Sequence, residues 1–335
     1  MGMLLMKKNI EGCLIGCGVG DTLGLPLEFL TKKQVLKRFP QKLRDFIAPV
    51  RHKYCSHMAL GQYSDDTQLT IAIAKSIIDS KAINIDDIVK KHIEAFNEKP
   101  LRGWGPTTTN ALEKLANGKS WQETGLPSAG TGPSMKISPV GLFYHLHHEK
   151  IFEACKNIGL MTHTDPRALV SSAVTAYAIS YTLNHRNDFE KNHFIDTLIN
   201  YAKDCEAKLG PTEEYLSNKL QIVKKSLEFD SGYLLEKVGA RFYVLEAVPF
   251  SLGMFAMNPY DFEETLIETV NSGGDTDTNG AIVGALLGTF NGIDEIPDRW
   301  KTKLENYEMI KNLGSKLYEV TKTKKFSDLK IEIMG

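Results

Sequence analysis

The sequence lacks an excess of charge of either sign. Its 335 residues include 40 lysines and arginines against 41 aspartates and glutamates, which gives a net charge of −1. Proteins that bind nucleic acid need clustered lysine and arginine to neutralise the phosphates. The balance therefore disfavours nucleic acid as the main partner.

The cysteines lack the spacing of a disulfide framework. There are five of them, scattered along the chain, and none forms a Cys-x-x-Cys motif. This usage is typical of a reducing compartment, so we expect a cytoplasmic protein. Cys13 and Cys17 lie one helical turn apart among small residues, and we interpret them as packing residues rather than as a redox pair.

Long uninterrupted apolar runs are also missing. Residues 1–10 carry two lysines and a short apolar patch, and no clear cleavage site follows. We find no stretch that approaches the roughly 18 to 20 apolar residues of a membrane span. We therefore expect neither a secretory leader nor a membrane segment.

Strand patterns are nearly absent, and helical periodicity fills most of the chain. Only residues 330–334 alternate weakly, and we expect residues 125–138 to be the only long loop. We predict an all-α fold forming a single domain over residues 1–335, with a core at about 10–300 and a C-terminal helix and tail at 301–335. The predicted helices cover residues 10–23, 66–80, 84–97, 108–117, 139–147, 151–158, 167–183, 194–206, 212–229, 243–257, 261–271, 278–290 and 305–322.

Two acidic clusters are present, and each runs directly into a helical pattern. They are Ser64-Asp65-Asp66-Thr67 and Gly273-Gly274-Asp275-Thr276-Asp277-Thr278. Neighbouring carboxylates repel each other and are costly to desolvate, so a fold that gathers four of them favours a divalent cation. Carboxylate and hydroxyl oxygens are the ligands that Mg²⁺ and Mn²⁺ prefer. The alternative is that each cluster is only a solvated helix cap, which is common for one cluster alone.

Several glycines precede or follow these clusters. Gly16, Gly18 and Gly20 resemble a dinucleotide-binding fingerprint, but no strand precedes them, so we interpret them as helix-packing positions. Small residues such as Gly284 and Gly288 are expected to let the helix after the second cluster approach the helix after the first. The double glycine 273–274 would permit an unusual turn before Asp275.

Three further features are candidates for chemistry. Glu28 lies among leucines, where its pKa could be raised for acid–base work, although most glutamates are simply exposed. The loop 130–136 is rich in glycine and hydroxyl groups and could hold a diphosphate, or it could be an ordinary surface loop. His163 lies just before a helix that Asp165 and Pro166 begin.

These blocks, in this order, resemble the ADP-ribosylglycohydrolase family of the dinitrogenase-reductase-activating type, over about residues 10–300. The resemblance implies a compact orthogonal helical bundle with a site for two Mg²⁺ or, in some members, Mn²⁺. The metal ligands of the family fall here on Ser64, Asp65, Asp66, Asp275, Asp277 and Thr278. The residues that face ADP-ribose in relatives fall on Gly130, Thr131, Gly132, Ser134, Met135 and His163.

The chain departs from the family pattern at a few positions. Ser64 stands where relatives often have threonine, Thr131 stands where the loop commonly has asparagine, and Lys136 stands where an arginine is usual. The serine keeps a hydroxyl ligand, so the metal site is expected to be intact, whereas the loop changes concern contacts with the substrate.

The resemblance also implies a function. It is metal-dependent hydrolysis of the bond between ADP-ribose and a modified protein side chain, with arginine as the favoured acceptor and Glu28, Asp65 and Asp277 as the catalytic residues. The partners would be ADP-ribose and an ADP-ribosylated protein, and we expect a monomer. The alternatives are a non-catalytic protein that binds ADP-ribose or a partner, and a purely structural helical protein. Serine, O-acyl esters and nucleic-acid adducts stay open as acceptors.

Overall fold

The computed structural model describes residues 2–322 and 331–332, and within these ranges the protein is almost entirely helical. This confirms the all-α prediction. The α-helices are α1 (Gly2–Gly24), α2 (Lys32–Arg38), α3 (Asp65–Ser80), α4 (Ile85–Asn97), α5 (Pro106–Ala116), α6 (Gly132–Met135), α7 (Ser138–Phe143), α8 (Ile151–Leu160), α9 (Pro166–His185), α10 (Lys191–Leu209), α11 (Leu216–Ser226), α12 (Ser231–Val238), α13 (Val244–Met257), α14 (Phe262–Val270), α15 (Thr276–Asn291), α16 (Asp298–Lys301) and α17 (Tyr307–Lys322).

Short elements complete the architecture. Three 3₁₀ turns lie at Leu25–Leu27, His148–Lys150 and Ile293–Glu295. Strand β1 (Ile83–Asn84) pairs in parallel with strand β2 (Ile331–Glu332). The weak alternation of residues 330–334 therefore coincides with a strand at Ile331–Glu332, and the other residues of that stretch lie outside the described ranges.

Every predicted helix is present, but five elements were not anticipated, among them the helices α12 and α16. Helix α2 begins with a capping box, in which the Thr31 side chain accepts from the Gln34 backbone and the Gln34 side chain accepts from the Thr31 backbone. Strand β1 and the short helix α6 were also missed. Threonine three residues before glutamine was a signal available in the sequence for α2.

The expectation of a single long loop is wrong. Residues 39–64 contain no helix or strand and form a longer irregular segment than residues 125–138, which contain α6. The side chain of Asn271 holds this segment in place: its Oδ1 accepts from the Leu43 amide at 2.8 Å and its Nδ2 donates to the Leu43 carbonyl at 2.9 Å. A side chain more than 200 residues away in sequence thus replaces the local hydrogen bonds of a regular element, which no local pattern reveals.

Helix α1 runs through the middle of the fold. The stretch Leu4–Leu27 is long and apolar enough to cross a membrane by length and composition alone, which corrects the expectation that no such stretch exists. The apolar 18-residue part of this stretch is completely buried inside the protein. The stretch therefore occupies the place of a core helix, surrounded by other helices rather than by lipid.

A row of glycines brings α1 and α15 into backbone contact. A Cβ atom on Gly16 would lie 2.1 Å from the carbonyl oxygen of Gly284, and a Cβ on Gly20 would lie 1.9 Å from that of Gly280. Gly12 meets Gly288 in the same way. The pairs run in opposite directions along the two helices, so α1 and α15 are antiparallel. Gly16 and Gly20 are helix-packing positions, as predicted, but the prediction is wrong for Gly18, where a Cβ would meet only side-chain atoms at 3.4 Å or more.

The partner of the small face of α15 differs from the prediction. Gly284 and Gly288 pack against α1, not against α3, the helix that follows the first acidic cluster. The antiparallel contact places the C-terminal end of α1 beside the N-terminal end of α15, where the Thr276 hydroxyl donates to the Gly24 carbonyl at 2.8 Å. Asp21 and Glu28 are therefore brought near Asp275 and Asp277.

We predict that Gly284→Ala strongly destabilises the protein. The new Cβ would meet the backbone oxygen of Gly16 at 2.1 Å, and backbone atoms cannot move aside without separating the helices. Overpacking of this kind costs about 1–3 kcal/mol or more. The measurement is the free energy of unfolding in denaturant.

The matched control is Gly18→Ala in the same helix α1. A Cβ there would have only side-chain neighbours, at 3.4 Å or more, and alanine favours a helix over glycine by about 1 kcal/mol. This variant should be neutral or more stable than the wild type. Equal stability of the Gly284 and Gly18 variants would contradict the close-packing argument.

Candidate active site

The first acidic cluster forms the N-terminus of α3. Ser64 is the N-cap, and its hydroxyl accepts from the Asp66 amide at 3.2 Å. The carboxylate of Asp21, on α1, accepts from the Ser64 and Thr67 amides at 3.0 and 3.1 Å and from the Thr67 hydroxyl at 2.6 Å. These bonds satisfy amide groups that a helix leaves free at its start. Asp21 therefore fixes the start of α3 to α1. Asp65 and Asp66, in the first turn of α3, are buried as a result.

The second cluster forms the N-terminus of α15. Gly273 and Gly274 have φ angles of 76° and 92°, in the left-handed region that favours glycine, which confirms the predicted turn. A Cβ on Gly274 would lie 2.3 Å from the Ala240 carbonyl oxygen, so the turn is also closely packed. The turn leaves the side chain of Asp275 free of capping, and its Oδ2 accepts from the Thr131 hydroxyl at 3.1 Å.

The two clusters meet in one cavity of about 1040 Å³. Glu28, Asp275 and Asp277 each offer an oxygen that lies within 4.8 Å of the other two. The predicted residues that line the cavity are Glu28, Asp65, Asp66, Gly130, Thr131, Gly132, Met135, His163, Asp275, Asp277 and Thr278. Ser64 and Ser134 are buried but do not line it. The structure therefore brings together the residues that lie more than 200 positions apart in the sequence.

Burial and mutual repulsion disfavour the charged forms of these acids. Burial, with the nearby charge of Asp21, raises the pKa of Asp65 to about 8. Burial and Asp277 raise the pKa of Asp66 well above its usual range, and burial and Asp275 do the same to the pKa of Asp277. For Asp275, hydrogen bonds oppose the effect of burial, and its pKa rises only to about 6. The cluster is therefore in need of positive charge.

A hard divalent cation fits this requirement. The donors are carboxylates and hydroxyls, which Mg²⁺ and Mn²⁺ prefer. The Oδ2 atom of Asp66 is buried and has no hydrogen-bond partner among the described residues, as expected of an oxygen that serves another ligand. The helix-cap alternative accounts for the hydroxyl of Ser64 but leaves this oxygen unexplained.

Lys136 supplies part of the missing charge. Its side chain is completely buried, and its Nζ has no hydrogen-bond partner among the residues that the structure describes. Burial lowers its pKa to about 8, while Asp65 and Asp66 oppose that change. A single ammonium group beside several carboxylates offsets their repulsion only partly, so the need for a cation stays.

Glu28 is held by a histidine that sequence reasoning did not select. The Nδ1 atom of His52 accepts from the amides of Tyr54 and Cys55, at 3.1 and 2.9 Å. The proton of the neutral ring must then lie on Nε2, which is 2.5 Å from Oε2 of Glu28. Burial lowers the pKa of His52 to about 4, so we regard the contact as a hydrogen bond from a neutral ring rather than as an ion pair.

The pKa of Glu28 is itself displaced. Burial, followed by the charges of Asp277 and Asp275, raises it well above its usual range. The exposed alternative for Glu28 is excluded, since its side chain is only 9% accessible. A carboxyl group that retains its proton near neutral pH and is fixed by a hydrogen bond is suited to act as a general acid.

The glycine loop closes one side of the cavity around His163. A Cβ on Gly132 would lie 2.6 Å from Cε1 of the His163 ring, so glycine is needed for the ring to reach the loop backbone. The Nδ1 atom of His163 lies 2.9 Å from the Thr162 hydroxyl, and burial lowers the pKa of the ring to about 3. His163 is therefore neutral, and its position fits a polar contact with a bound ligand.

Several residues of the site were not identified from the sequence. Phe29, Tyr54 and Phe242 line the cavity, His52 lies behind Glu28, and Asp21 caps α3. His52 and Tyr54 lie in the irregular segment 39–64, where no periodicity indicates which side chains point inward.

Comparison with known proteins agrees with the geometry. The model of the family described as ADP-ribosylglycohydrolase matches residues 4–326. The chain is similar to ADP-ribosylhydrolase ARH3 of Xenopus tropicalis, with 25% identity over 93% of this chain and 95% of that protein. It is also similar to the ADP-ribosylarginine hydrolase Tri1 of Serratia proteamaculans, with 25% identity over 92% of this chain and 78% of that protein.

A solved structure shares the fold. It is described as an ADP-ribosylglycohydrolase-related protein complex, and it superimposes with a TM-score of 0.73 at 25% identity, covering 95% of this chain and 99% of that one. The match of the family model extends over nearly the whole chain, and the helical architecture is shared over the same length. The chain therefore belongs to the ADP-ribosylglycohydrolase family, a group of glycosidases that act on ADP-ribose linkages.

Proposed function

We propose that this protein hydrolyses the glycosidic bond between ADP-ribose and a modified arginine side chain, and that the reaction depends on two divalent ions, Mg²⁺ or Mn²⁺. One observation carries the proposal: five carboxyl groups converge at one cavity that is large enough for a nucleotide ligand. Ser64, Asp65, Asp66, Asp275, Asp277 and Thr278 are proposed to hold the ions, with Ser64 the least direct, since its hydroxyl is engaged in capping α3.

The remaining residues divide the other tasks. The loop of Gly130, Thr131 and Gly132, with Met135 and His163 lining the cavity beside it and Ser134 buried behind it, is proposed to bind ADP-ribose. Bound divalent ions supply Lewis-acid stabilisation of oxygens at the reacting sugar. Glu28, oriented by His52, is proposed to give a proton to the departing side chain or to orient the attacking water. The bond to the anomeric carbon breaks, and water provides its hydroxyl to that carbon; where Glu28 has protonated the departing side chain, the proton of the water restores Glu28, so the net transfer is one proton from water to the acceptor.

We predict that Asp65→Ala and Asp277→Ala each reduce ADP-ribose release to background without unfolding the protein. Each variant removes a carboxylate from the proposed metal site and also removes repulsion from the ligand-free protein. Release is measured with ADP-ribosylated peptides at limiting metal, and folding by circular dichroism. The control is Asp188→Ala, a change at an exposed carboxylate with no part in the cavity.

Two results would oppose this assignment. Full hydrolysis by either variant at limiting metal would show that the carboxylate is dispensable. Wild-type turnover that is unchanged in excess chelator would exclude metal dependence. A folded wild type that binds ADP-ribose but releases none from any adduct would instead support the non-catalytic alternative.

We also predict how pH and metal together affect stability. The folded-state pKa is raised to about 6 for Asp21 and Asp275 and to about 8 for Asp65. The unfolded value is about 4. The folded protein therefore holds protons more tightly than the unfolded chain, and its stability without metal should fall as pH rises through this window.

A divalent ion should reverse that loss. Metal competes with protons for the same oxygens, so the rise in Tm on adding Mg²⁺ or Mn²⁺ should be larger at pH 8 than at pH 5. The measurement is thermal unfolding at both pH values, with and without metal, for the wild type and for Asp277→Ala. A rise in Tm that is independent of pH, or equal in the variant, would contradict the site. No rise at all would support the purely structural alternative.

We predict that Glu28→Gln lowers kcat by about 10²–10⁴-fold and changes the affinity for ADP-ribose much less. His52→Leu should cause a smaller loss of kcat, because Glu28 then lacks the donor that orients it. His52→Gln should recover part of the loss, since an amide group can donate to Glu28 again. If Glu28→Gln weakens ADP-ribose binding as much as it slows hydrolysis, Glu28 is only a binding contact.

A further inference from the structure

Three exposed aromatic rings line the cavity and have no role in the proposed reaction so far. Phe29, Tyr54 and Phe242 are 44%, 53% and 40% accessible, and they come from three separate segments of the chain. The rings of Phe29 and Phe242 are stacked with their centroids 5.0 Å apart, and Tyr54 meets Phe29 edge-on at 5.9 Å. We call these three residues the aromatic shelf. Side chains of this size are usually buried in a folded protein.

The backbone is arranged to present this shelf. Phe29 has a φ of 67°, in the left-handed region that bulky residues rarely adopt. Its amide donates to the Gly274 carbonyl at 3.1 Å, and the next carbonyl, that of Leu30, accepts from the Gly274 amide at 2.8 Å. The strained residue is thus fixed to the turn that carries Asp275. Strain that surrounding contacts maintain is common at ligand sites.

The shelf adjoins the proposed proton donor. Phe29 directly follows Glu28, and its ring lies 5.4 Å from the ring of His52, which binds Glu28. The Tyr54 amide donates to His52 as well. A departing side chain that receives a proton from Glu28 lies close to these rings. The shelf is therefore placed to contact the acceptor side chain rather than the reacting sugar.

The charge of the cavity indicates which acceptor fits. Among the described residues, every charged side chain that lines the cavity is acidic, namely Glu28, Asp65, Asp66, Glu113, Asp275 and Asp277. Four aspartates belong to the proposed metal site and Glu28 is the proposed proton donor, which leaves Glu113 as the acidic side chain without an assigned role. A positively charged acceptor would complement this acidic lining, whereas a serine adduct adds no positive charge. One cation already sits over the shelf, since Lys53 Nζ lies 4.9 Å from the Tyr54 ring centroid.

We propose that the aromatic shelf is the acceptor subsite, and that it binds the guanidinium group of ADP-ribosylated arginine against Phe29 and Phe242. A guanidinium is planar and always charged, and it stacks on aromatic faces. This inference rests on the proposed hydrolase function and names the residues that would give it a preference for arginine. It assigns the shelf no part in holding ADP-ribose or metal.

The test compares two adducts of one peptide, carrying ADP-ribose on arginine or on serine, at saturating metal. Phe242→Leu and Phe29→Leu keep apolar bulk but remove the aromatic face. Each should raise KM for the arginine adduct by roughly 2- to 30-fold, the range of a cation–π contact. KM for the serine adduct and the inhibition constant of free ADP-ribose should stay unchanged. The matched control is Phe229→Leu, at an exposed ring stacked on Tyr233 outside the cavity.

Other results would overturn the inference in distinguishable ways. A weaker inhibition constant for ADP-ribose in Phe242→Leu would assign the shelf to the nucleotide. Equal rises in KM for both adducts would show that the shelf does not select a cation. Release from the serine adduct alone would remove the arginine preference and leave the hydrolase intact.

A binding experiment that does not depend on hydrolysis separates this inference from the proposed function. Methylguanidine is titrated into the metal- and ADP-ribose-bound protein, and binding is followed by NMR. Binding that the wild type shows and Phe242→Leu weakens supports the shelf, and equal or absent binding refutes it. Failure to hydrolyse any adduct refutes the hydrolase proposal, and the titration still decides what the shelf binds.

Discussion

The contact between α1 and α15 is the constraint on which the rest of the site depends. Glycines at every fourth residue let two antiparallel helices touch through their backbones. This contact fixes the end of α1, with Asp21 and Glu28, beside the start of α15, with Asp275 and Asp277. Side chains at these positions would separate the helices by several ångströms and open the acidic cluster. The glycines weaken each helix by about 1 kcal/mol per residue, and the close packing they permit offsets that loss.

A second constraint is electrostatic, and it opposes the first. The packing that brings the carboxylates together also buries them, and burial raises the pKa of every one of them. Two devices within the chain reduce the repulsion. Asp21 is satisfied by the N-terminal amides of α3, and the buried ammonium group of Lys136 faces Asp65 and Asp66. The charged form of Asp277 stays unfavourable in the ligand-free protein, because burial and Asp275 raise its pKa well above its usual range. Binding of a cation would relieve this unfavourable burial of carboxylates, so the free energy it relieves would add to the affinity for the metal.

The helices that carry the acidic residues, here called the floor of the site, could be predicted from the sequence. The irregular segments around them, here called its walls, could not. Helices and caps follow from local spacing, so α3, α9 and α15 and the acidic residues at their starts were accessible. The double glycine at 273–274 indicated a turn with positive φ angles, because glycine is the residue that adopts them without strain. The partner of Gly284 could not be predicted, because a small face packs equally well on any helix. His52 and Tyr54 were missed since segment 39–64 takes its shape from distant contacts such as that between Asn271 and Leu43.

This division of the site bears on how related proteins differ in substrate. The floor is held by backbone contacts between helices, where most substitutions would disturb the metal ligands. The shelf is carried by the end of the turn after Leu27, by the irregular segment 39–64 and by the stretch before α13. Irregular segments tolerate sequence change better than packed helices. The ADP-ribosylarginine hydrolase Tri1 of Serratia proteamaculans and the ADP-ribosylhydrolase ARH3 of Xenopus tropicalis are each 25% identical to this chain. Overall similarity therefore does not identify the acceptor, and the residues that would do so are those of the walls, beginning with Phe29 and Phe242.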